Sequence, residues 1–421
     1  MNRYEKSLEL LKKAEKLIPG QAQTFSKQSK WFPQGAYPVY LEEGHDGHVW
    51  DVDENEYIDL ICGLGAITLG YENSEITGDI MDMMALGGPT FSLPHPIEIE
   101  LAEKLHEIIP CAEMVRFAKN GTDVTNAAVR LAKAITGRDH VAQYGYHGGG
   151  NDWYGITTER PAGIFPDLQY QIDTFKYNDI DSLEKIFEDC PNRVACVIME
   201  PVIFTPPIKG FLEQVKELTH KNGALLIFDE MVTGFRWHLG GAQKYFNVIP
   251  DLATFGKGMA NGFPISALVG RAEYMKRLED LPIFFSYTFA GECLSMVAAL
   301  ATIEQMEKGA SAQLWGNGEF LRKKLLKNSD LKIIGYPCRF HITWEGEDVM
   351  SRSLFMQETA KRGLLLHSVG VNFMSSHTEE DIIKASNAIL ESWEVVRNAM
   401  KRNNVKEMLE GSPIQPAFRR F

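Results

Sequence analysis

Asp229 and Glu230 stand directly after the apolar run Ala224-Leu225-Leu226-Ile227-Phe228. A carboxylate at the end of a buried strand is poorly solvated and needs a partner. A helix cap or an ion pair would satisfy it, and so would a cationic atom of a ligand. A unit positive charge about 4 Å away, at an effective dielectric near 20, attracts it by roughly 4 kcal/mol, enough to hold a proton on a ring nitrogen. A second apolar run, Leu252-Ala253-Thr254-Phe255, leads into Gly256-Lys257-Gly258. A lysine between glycines can approach a ligand closely, and its amine becomes a nucleophile once its pKa falls. The plain alternative is a surface lysine. The glycine spacing of a P-loop is missing, and Gly258 is neither Ser nor Thr.

Asn120-Gly121-Thr122-Asp123 opens a helical pattern. Backbone N–H groups and a hydroxyl at a helix start form an anion site, although the same residues also make a simple N-cap. Tyr144-Gly145-Tyr146-His147-Gly148-Gly149-Gly150 follows Val141-Ala142-Gln143. An aromatic there could stack on a flat ring or serve only the glycine-rich turn. No G-x-G-x-x-G sequence opens a helix there, so a dinucleotide fingerprint has no support. His45-Asp46-Gly47-His48 sits in a polar turn and matches no metal-ligand spacing.

The elements around these residues alternate. Residues 97–109, 122–136 and 211–221 carry helical patterns. Arg193 to Met199, Ala224 to Phe228, 252–255 and Ile265 to Val269 are short apolar runs. Alternation of this kind predicts an α/β fold, a mostly parallel sheet with helices on both faces. Ligands in such sheets sit beyond the carboxyl ends of the strands. Ahead of this region, residues 3–18 predict an amphipathic helix stopped by Pro19-Gly20. Strands follow at Val39-Tyr40-Leu41, His48 to Asp53 and Tyr57 to Leu60, with a turn at Glu43-Gly44. Beyond about residue 311 the pattern predicts a smaller α+β domain. It has helices at 317–327, 348–362 and 378–402, strands at Leu331 to Ile334 and Phe340 to Trp344, and an irregular tail from Gly411.

The 421 residues hold 43 Lys and Arg against 56 Asp and Glu, a net charge of −13. That balance argues against general binding to nucleic acid or anionic membranes. No apolar run reaches the roughly 18 residues of a spanning helix. Met1-Asn2-Arg3-Tyr4-Glu5-Lys6 has no apolar core of the signal-peptide kind. The six cysteines form no C-x-x-C pair, and free thiols in a reducing cytoplasm are the expected state.

The order and spacing of these segments resemble the class III, fold-type I aminotransferases that use pyridoxal 5'-phosphate (PLP), and within them the glutamate-1-semialdehyde 2,1-aminomutase branch. The resemblance spans nearly the whole chain. It rests on Lys12 to Gly20, Val49-Trp50-Asp51-Val52-Asp53, Leu226 to Arg236, Thr254-Phe255-Gly256-Lys257 and Pro264-Ile265-Ser266-Ala267. It implies that Lys257 holds the cofactor as a Schiff base and then moves the substrate proton. Asp229 pairs with the pyridine nitrogen, Met231 packs on one ring face and Tyr146 on the other. Gly121 and Thr122 bind the phosphate, with Asn120 where Ser is usual, and Glu200 lies near the cofactor. Thr288 reaches the phosphate of a neighbouring subunit, which implies a homodimer with shared sites.

The implied domains are an N-terminal segment over 1–75, a large cofactor domain over 76–310 and a small domain over 311–421. Three departures concern substrate. Gln23-Thr24-Phe25-Ser26-Lys27 offers Lys27 where the aminomutase has arginine. Ser368-Val369-Gly370-Val371-Asn372-Phe373 lacks the aminomutase's Phe-Glu-Ala glutamate and places Asn372 there. Asn151-Asp152-Trp153-Tyr154-Gly155, with Trp153, and Pro413 to Arg419 resemble transaminases of surface-polysaccharide sugars, of the 8-amino-3,8-dideoxy-octulosonate type. The resemblance thus implies a small-molecule amino donor, glutamate, and a sugar aldehyde acceptor.

Overall fold

The structure, a computed structural model, describes residues 3–368 and 370–415. The chain forms two compact units. One runs from Ser74 to Ser311, and the other joins the residues up to Asn73 with those from Ala312 onward.

The first unit is built on a seven-stranded sheet. Its spatial order is Met114–Ala118, Ser266–Gly270, Leu252–Phe255, Leu225–Asp229, Val194–Met199, His140–Tyr144 and Ile172–Thr174. All but Ser266–Gly270 run in one direction. Every residue of Val194–Met199 and of Leu225–Asp229 is buried, as strands covered on both faces require. Helix Gly121–Thr136 turns Val124, Ala127, Ala128, Leu131 and Ala132 inward and packs on the central strands. It stops at Gly137, which takes the left-handed φ of +66° that closes a helix.

Three further helices belong to the unit: Ile180–Asp189, which is amphipathic and buries Leu183, Ile186 and Phe187, then Ser74–Ala85 and Cys293–Gln305. The last packs on Ser74–Ala85, on Ile97–Ile108 and on the Lys257–Ala260 turn. Because all strands but one share a direction, the residues following Ala118, Tyr144, Met199, Asp229 and Phe255 gather along one sheet edge.

The second unit holds a four-stranded sheet of Leu41–His45, His48–Asp51, Glu56–Asp59 and Leu364–Leu365. A three-stranded sheet consists of Lys332–Tyr336, Arg339–Thr343 and Val371–Asn372. The turn expected at Glu43-Gly44 is not there. Glu43 and Gly44 are strand residues paired with Trp50 and Val49, and a register shift after Leu41 absorbs Glu42. The chain reverses at Asp46-Gly47 instead, where Asp46 takes a φ of +49°. No described helix is long and apolar enough to cross a membrane, and no disulfide forms among the described residues. Val369 and the tail from Pro416, with most of the Pro413 to Arg419 motif, lie outside the described residues.

Candidate active site

Asp229 ends its strand with a side chain only 1% exposed. Its Oδ2 accepts from His147 Nδ1 at 2.8 Å. Its Oδ1 accepts from the Met231 N–H at 3.1 Å and the Thr254 hydroxyl at 3.3 Å. A carboxylate offers about four lone-pair sites. Three donors leave one, so this buried anion keeps room for one more proton donor.

His147 comes from the glycine-rich turn after the His140–Tyr144 strand. Its ring stacks on Trp153, with centroids 5.7 Å apart and planes at 28°, and meets the edge of Tyr154. Glu200 shapes the same turn: its Oε1 takes the Tyr146 N–H at 2.7 Å. Gly145, at φ +112°, lets the chain pass, since a Cβ there would stand 2.8 Å from Glu200 Oε1. Tyr146 is held edge-on by Tyr154 and remains partly exposed.

Met231 brings the other parts together. A Cβ on Gly121 would lie 3.0 Å from Met231 Cε, and one on Gly256 only 2.3 Å from it. The helix start, the lysine turn and the Asp229 strand therefore meet around one methionine. Two glycines allow that approach. Lys257 follows Gly256 with a φ of +45°. A non-glycine residue in the left-handed region costs about 1–3 kcal/mol and persists where the surroundings enforce it. Here the surroundings include the buried Cys293–Gln305 helix.

Asn120 and Thr122 have different surroundings. The Asn120 N–H donates to Asp123 Oδ2 at 2.8 Å, and its carbonyl takes the Ser266 hydroxyl at 2.9 Å. Asn120 thus caps and anchors the helix. Thr122 Oγ1 is buried with no hydrogen-bond partner among the described residues. A Cβ on Gly150 would stand 3.0 Å from it, and one on Gly148 would stand 3.0 Å from Thr122 Cβ. A buried hydroxyl without a partner, at a helix N-terminus walled by glycines, fits a phosphate group. The remaining lone pair on Asp229 fits a protonated ring nitrogen. The residues present therefore suit PLP.

Glu230, one residue on, faces elsewhere. Its carboxylate takes the N–H groups of Ala242 at 2.7 Å and Gln243 at 2.9 Å, and the Thr233 hydroxyl. Complete burial pushes its pKa up to about 7, against the lowering pull of those donors.

Thr288 lies in a cleft of about 860 Å³ lined by residues 90–117 and 285–291, among them Phe91, Leu93 and Tyr287. Lys27 and Asn372 belong to the other unit. Lys27 is exposed at the end of the Phe25–Lys27 turn. The Ser26 carbonyl bonds His367 Nε2 at 2.9 Å, and Asn372 donates its side-chain amide to Ile61 O at 3.2 Å. Trp153, like Asn372, is buried. In the His45–His48 turn, His48 Nε2 pairs with Asp381 at 3.0 Å. His147 carries no role in the sequence reading. Its place beside Tyr146 was the available signal, but its partner lies 82 residues away.

Residues 32–384 match the family description "Aminotransferase class-III". The chain belongs to that family. The 3-aminobutyryl-CoA aminotransferase of Cloacimonas acidaminovorans is 36% identical over 94% of this chain and 98% of its own length. The glutamate-1-semialdehyde 2,1-aminomutase of Methanosphaera stadtmanae is 35% identical over 84% of each chain. The FumI protein of Sphingopyxis sp. MTA144, solved with PLP, superposes with a TM-score of 0.88 at 27% identity, covering 97% of this chain and 99% of its own. This class III protein is therefore a PLP-dependent aminotransferase with the fold-type I architecture.

Proposed function

We propose that the chain transfers an amino group from L-glutamate to the aldehyde of a polar, acidic sugar, of the 8-amino-3,8-dideoxy-octulosonate type, for a surface polysaccharide. The convergence of Asp229, the Lys257 turn and the helix start at Gly121 on Met231 carries the catalytic part of this reading. When bound, PLP supplies an electron sink for charge developing at the substrate Cα. Lys257 Nζ holds the cofactor covalently and, once released, takes the Cα proton and returns it elsewhere. Asp229, oriented by His147, keeps the ring nitrogen protonated. Thr122 and the helix start would hold the cofactor's phosphate and so fix its position. Met231 and Tyr146 pack on the ring faces, and Glu200 fixes the turn that carries Tyr146.

The acceptor rests on the substrate-side residues. Exposed Lys27 offers a point charge for a carboxylate, without the arginine fork. The 368–373 segment lacks the aminomutase glutamate. A near-full-length relative that is an aminotransferase supports intermolecular transfer. The second reading, glutamate-1-semialdehyde 2,1-aminomutase, is favoured by the relatives that carry that name. A stopped-flow spectrum separates them. Glutamate alone should bleach the PLP band, and an 8-oxo-octulosonate should restore it faster than a 3-oxoacyl-CoA thioester does. Conversion of glutamate-1-semialdehyde to 5-aminolevulinate with no added donor would overturn the transaminase reading.

The same reading includes a homodimer in which Thr288 reaches the partner's phosphate site. Leu93, which lines the Thr288 cleft, and Phe284 and Phe289 on the chain flanking Thr288 are 79%, 77% and 60% exposed, and exposed large apolar side chains of this kind suit an association surface. Light scattering should give twice the chain mass, and Thr288→Ala should weaken PLP retention. An active monomer would contradict the shared site.

A further inference from the structure

The strand that leads to Tyr146 and His147 carries a second chemical cluster at its opposite end. His140 opens that strand. Asp173 lies in the neighbouring edge strand Ile172–Thr174, and Cys190 closes helix Ile180–Asp189. His140 Nε2 stands 2.9 Å from Asp173 Oδ2. Cys190 Sγ stands 3.8 Å from both ring nitrogens. The three ligand atoms all lie within 4.8 Å of one another. The imidazole is 3% exposed and the carboxylate 53%. Cys190 is the one cysteine of the six that is not buried.

A histidine–aspartate pair locking an edge strand needs no third group. Here a separate element adds a thiol within reach of the same ring. Tetrahedral zinc, with bonds of about 2.0–2.3 Å to nitrogen, oxygen and sulfur, places its ligand atoms about 3.3–3.6 Å apart. The observed separations bracket that range, and the exposed Asp173 side chain can rotate to close the difference. The charge around the cluster also suits a cation: Asp139, Asp173 and Asp189 face Cys190, opposed by Arg193, which is itself paired with Asp139 at 3.0 Å.

We propose that His140, Asp173 and Cys190 form a zinc site with one position left for water. Binding releases one proton. The Cys190 thiol gives it to solvent as the sulfur–zinc bond forms, the ring proton that His140 Nε2 shares with Asp173 shifts to Nδ1 so that Nε2 offers its lone pair, and nothing is oxidised. A thiolate and an imidazole select zinc over magnesium or calcium, which take oxygen ligands. Bound zinc would tie the edge strand to its neighbour and to the end of the 180–189 helix. No local pattern reveals it, because the ligands are 33 and 17 residues apart and form no recognised motif.

The test uses the holoenzyme, freed of metal by a chelator and titrated with zinc chloride alone. Zinc per chain and the alkylation rate of Cys190, read by peptide mass spectrometry, are the two measurements. Wild type should bind one zinc per chain, and zinc should slow Cys190 alkylation about tenfold or more, while magnesium should not. Cys190→Ser and Asp173→Asn should each weaken zinc binding at least about tenfold. Asp173→Asn changes an exposed side chain, so it remains informative if another variant misfolds. Equal zinc binding by wild type and Asp173→Asn, or Cys190 alkylation indifferent to zinc, would overturn the proposal.

Discussion

Asp229 and Glu230 are consecutive, both buried and both acidic, yet their surroundings serve different ends. Glu230 is enclosed by donors from its own loop: two backbone N–H groups and the Thr233 hydroxyl. It pins residues 230–243 and has no room beyond them. A Cβ on Gly241 would stand 2.6 Å from its Oε1. Asp229 is bonded to His147, Met231 and Thr254, groups from three different segments, and keeps acceptor capacity. Beside it, through Met231, lies a helix start with an unpartnered hydroxyl. Burial does not separate structural from chemical carboxylates here. What separates them is whether the donors come from one loop or from several segments, and whether the neighbouring backbone closes off the space around the carboxylate.

The largest expected effect is at Asp229. Asp229→Asn keeps the shape and removes the charge, so turnover should fall roughly 10²–10⁴-fold. A rate within about threefold of wild type would reject the contrast, because 0.7 kcal/mol or so is less than one ordinary hydrogen bond contributes. Thr122→Val should come next. It deletes the unpartnered hydroxyl and keeps the volume, so PLP should bind more weakly by about 1–3 kcal/mol, read as faster loss of cofactor on dilution, with unfolding of the PLP-free protein unchanged. Equal retention would mean that Thr122 does not meet the phosphate.

At Glu230 the contrast predicts a loss of stability with no direct effect on chemistry. Gln keeps one acceptor and turns an amide toward a backbone donor, so Glu230→Gln should destabilise the fold by about 1–3 kcal/mol at neutral pH. The pH dependence should also change. Burial raises the folded-state pKa of Glu230 from 4.5 to about 7. Between those values the folded state holds a proton that the unfolded state has released. This group's contribution is therefore full below pH 4.5 and is lost as pH rises toward 7. Removing the carboxyl should flatten that part of the stability profile, and an unchanged profile would show that Glu230 does not titrate there. The smallest effect is expected at Asn120. Serine caps as well as asparagine, so Asn120→Ser should leave thermal stability within about 0.5 kcal/mol. A larger change would mean that the side chain does more than cap.

The sequence exposed this region unevenly. The strand ends at Asp229 and Lys257 were legible because continuous apolar runs stop abruptly at polar residues, and a parallel sheet puts such ends on one edge. The Cys293–Gln305 helix was not, because it is buried on nearly every side and shows no apolar stripe. Its place under the lysine turn could not be inferred either. The pairing of His147 with Asp229 joins residues 82 apart, beyond the reach of local pattern. The left-handed φ of Lys257 runs against its residue type, and propensity argues for the opposite. The misplaced turn at Glu43-Gly44 followed the same logic: a glycine signalled a reversal, but pairing with Val49 and Trp50 kept it in the strand.

The account stands on Lys257 as the point of covalent attachment. Borohydride reduction of the purified yellow protein, followed by digestion and mass spectrometry, tests it directly. The account predicts a single pyridoxyl-modified peptide, with the modification on Lys257 and none when Lys257→Ala is treated in the same way. A modification fixed on another lysine, or a wild-type protein that takes up PLP and yields no modified peptide, would contradict it.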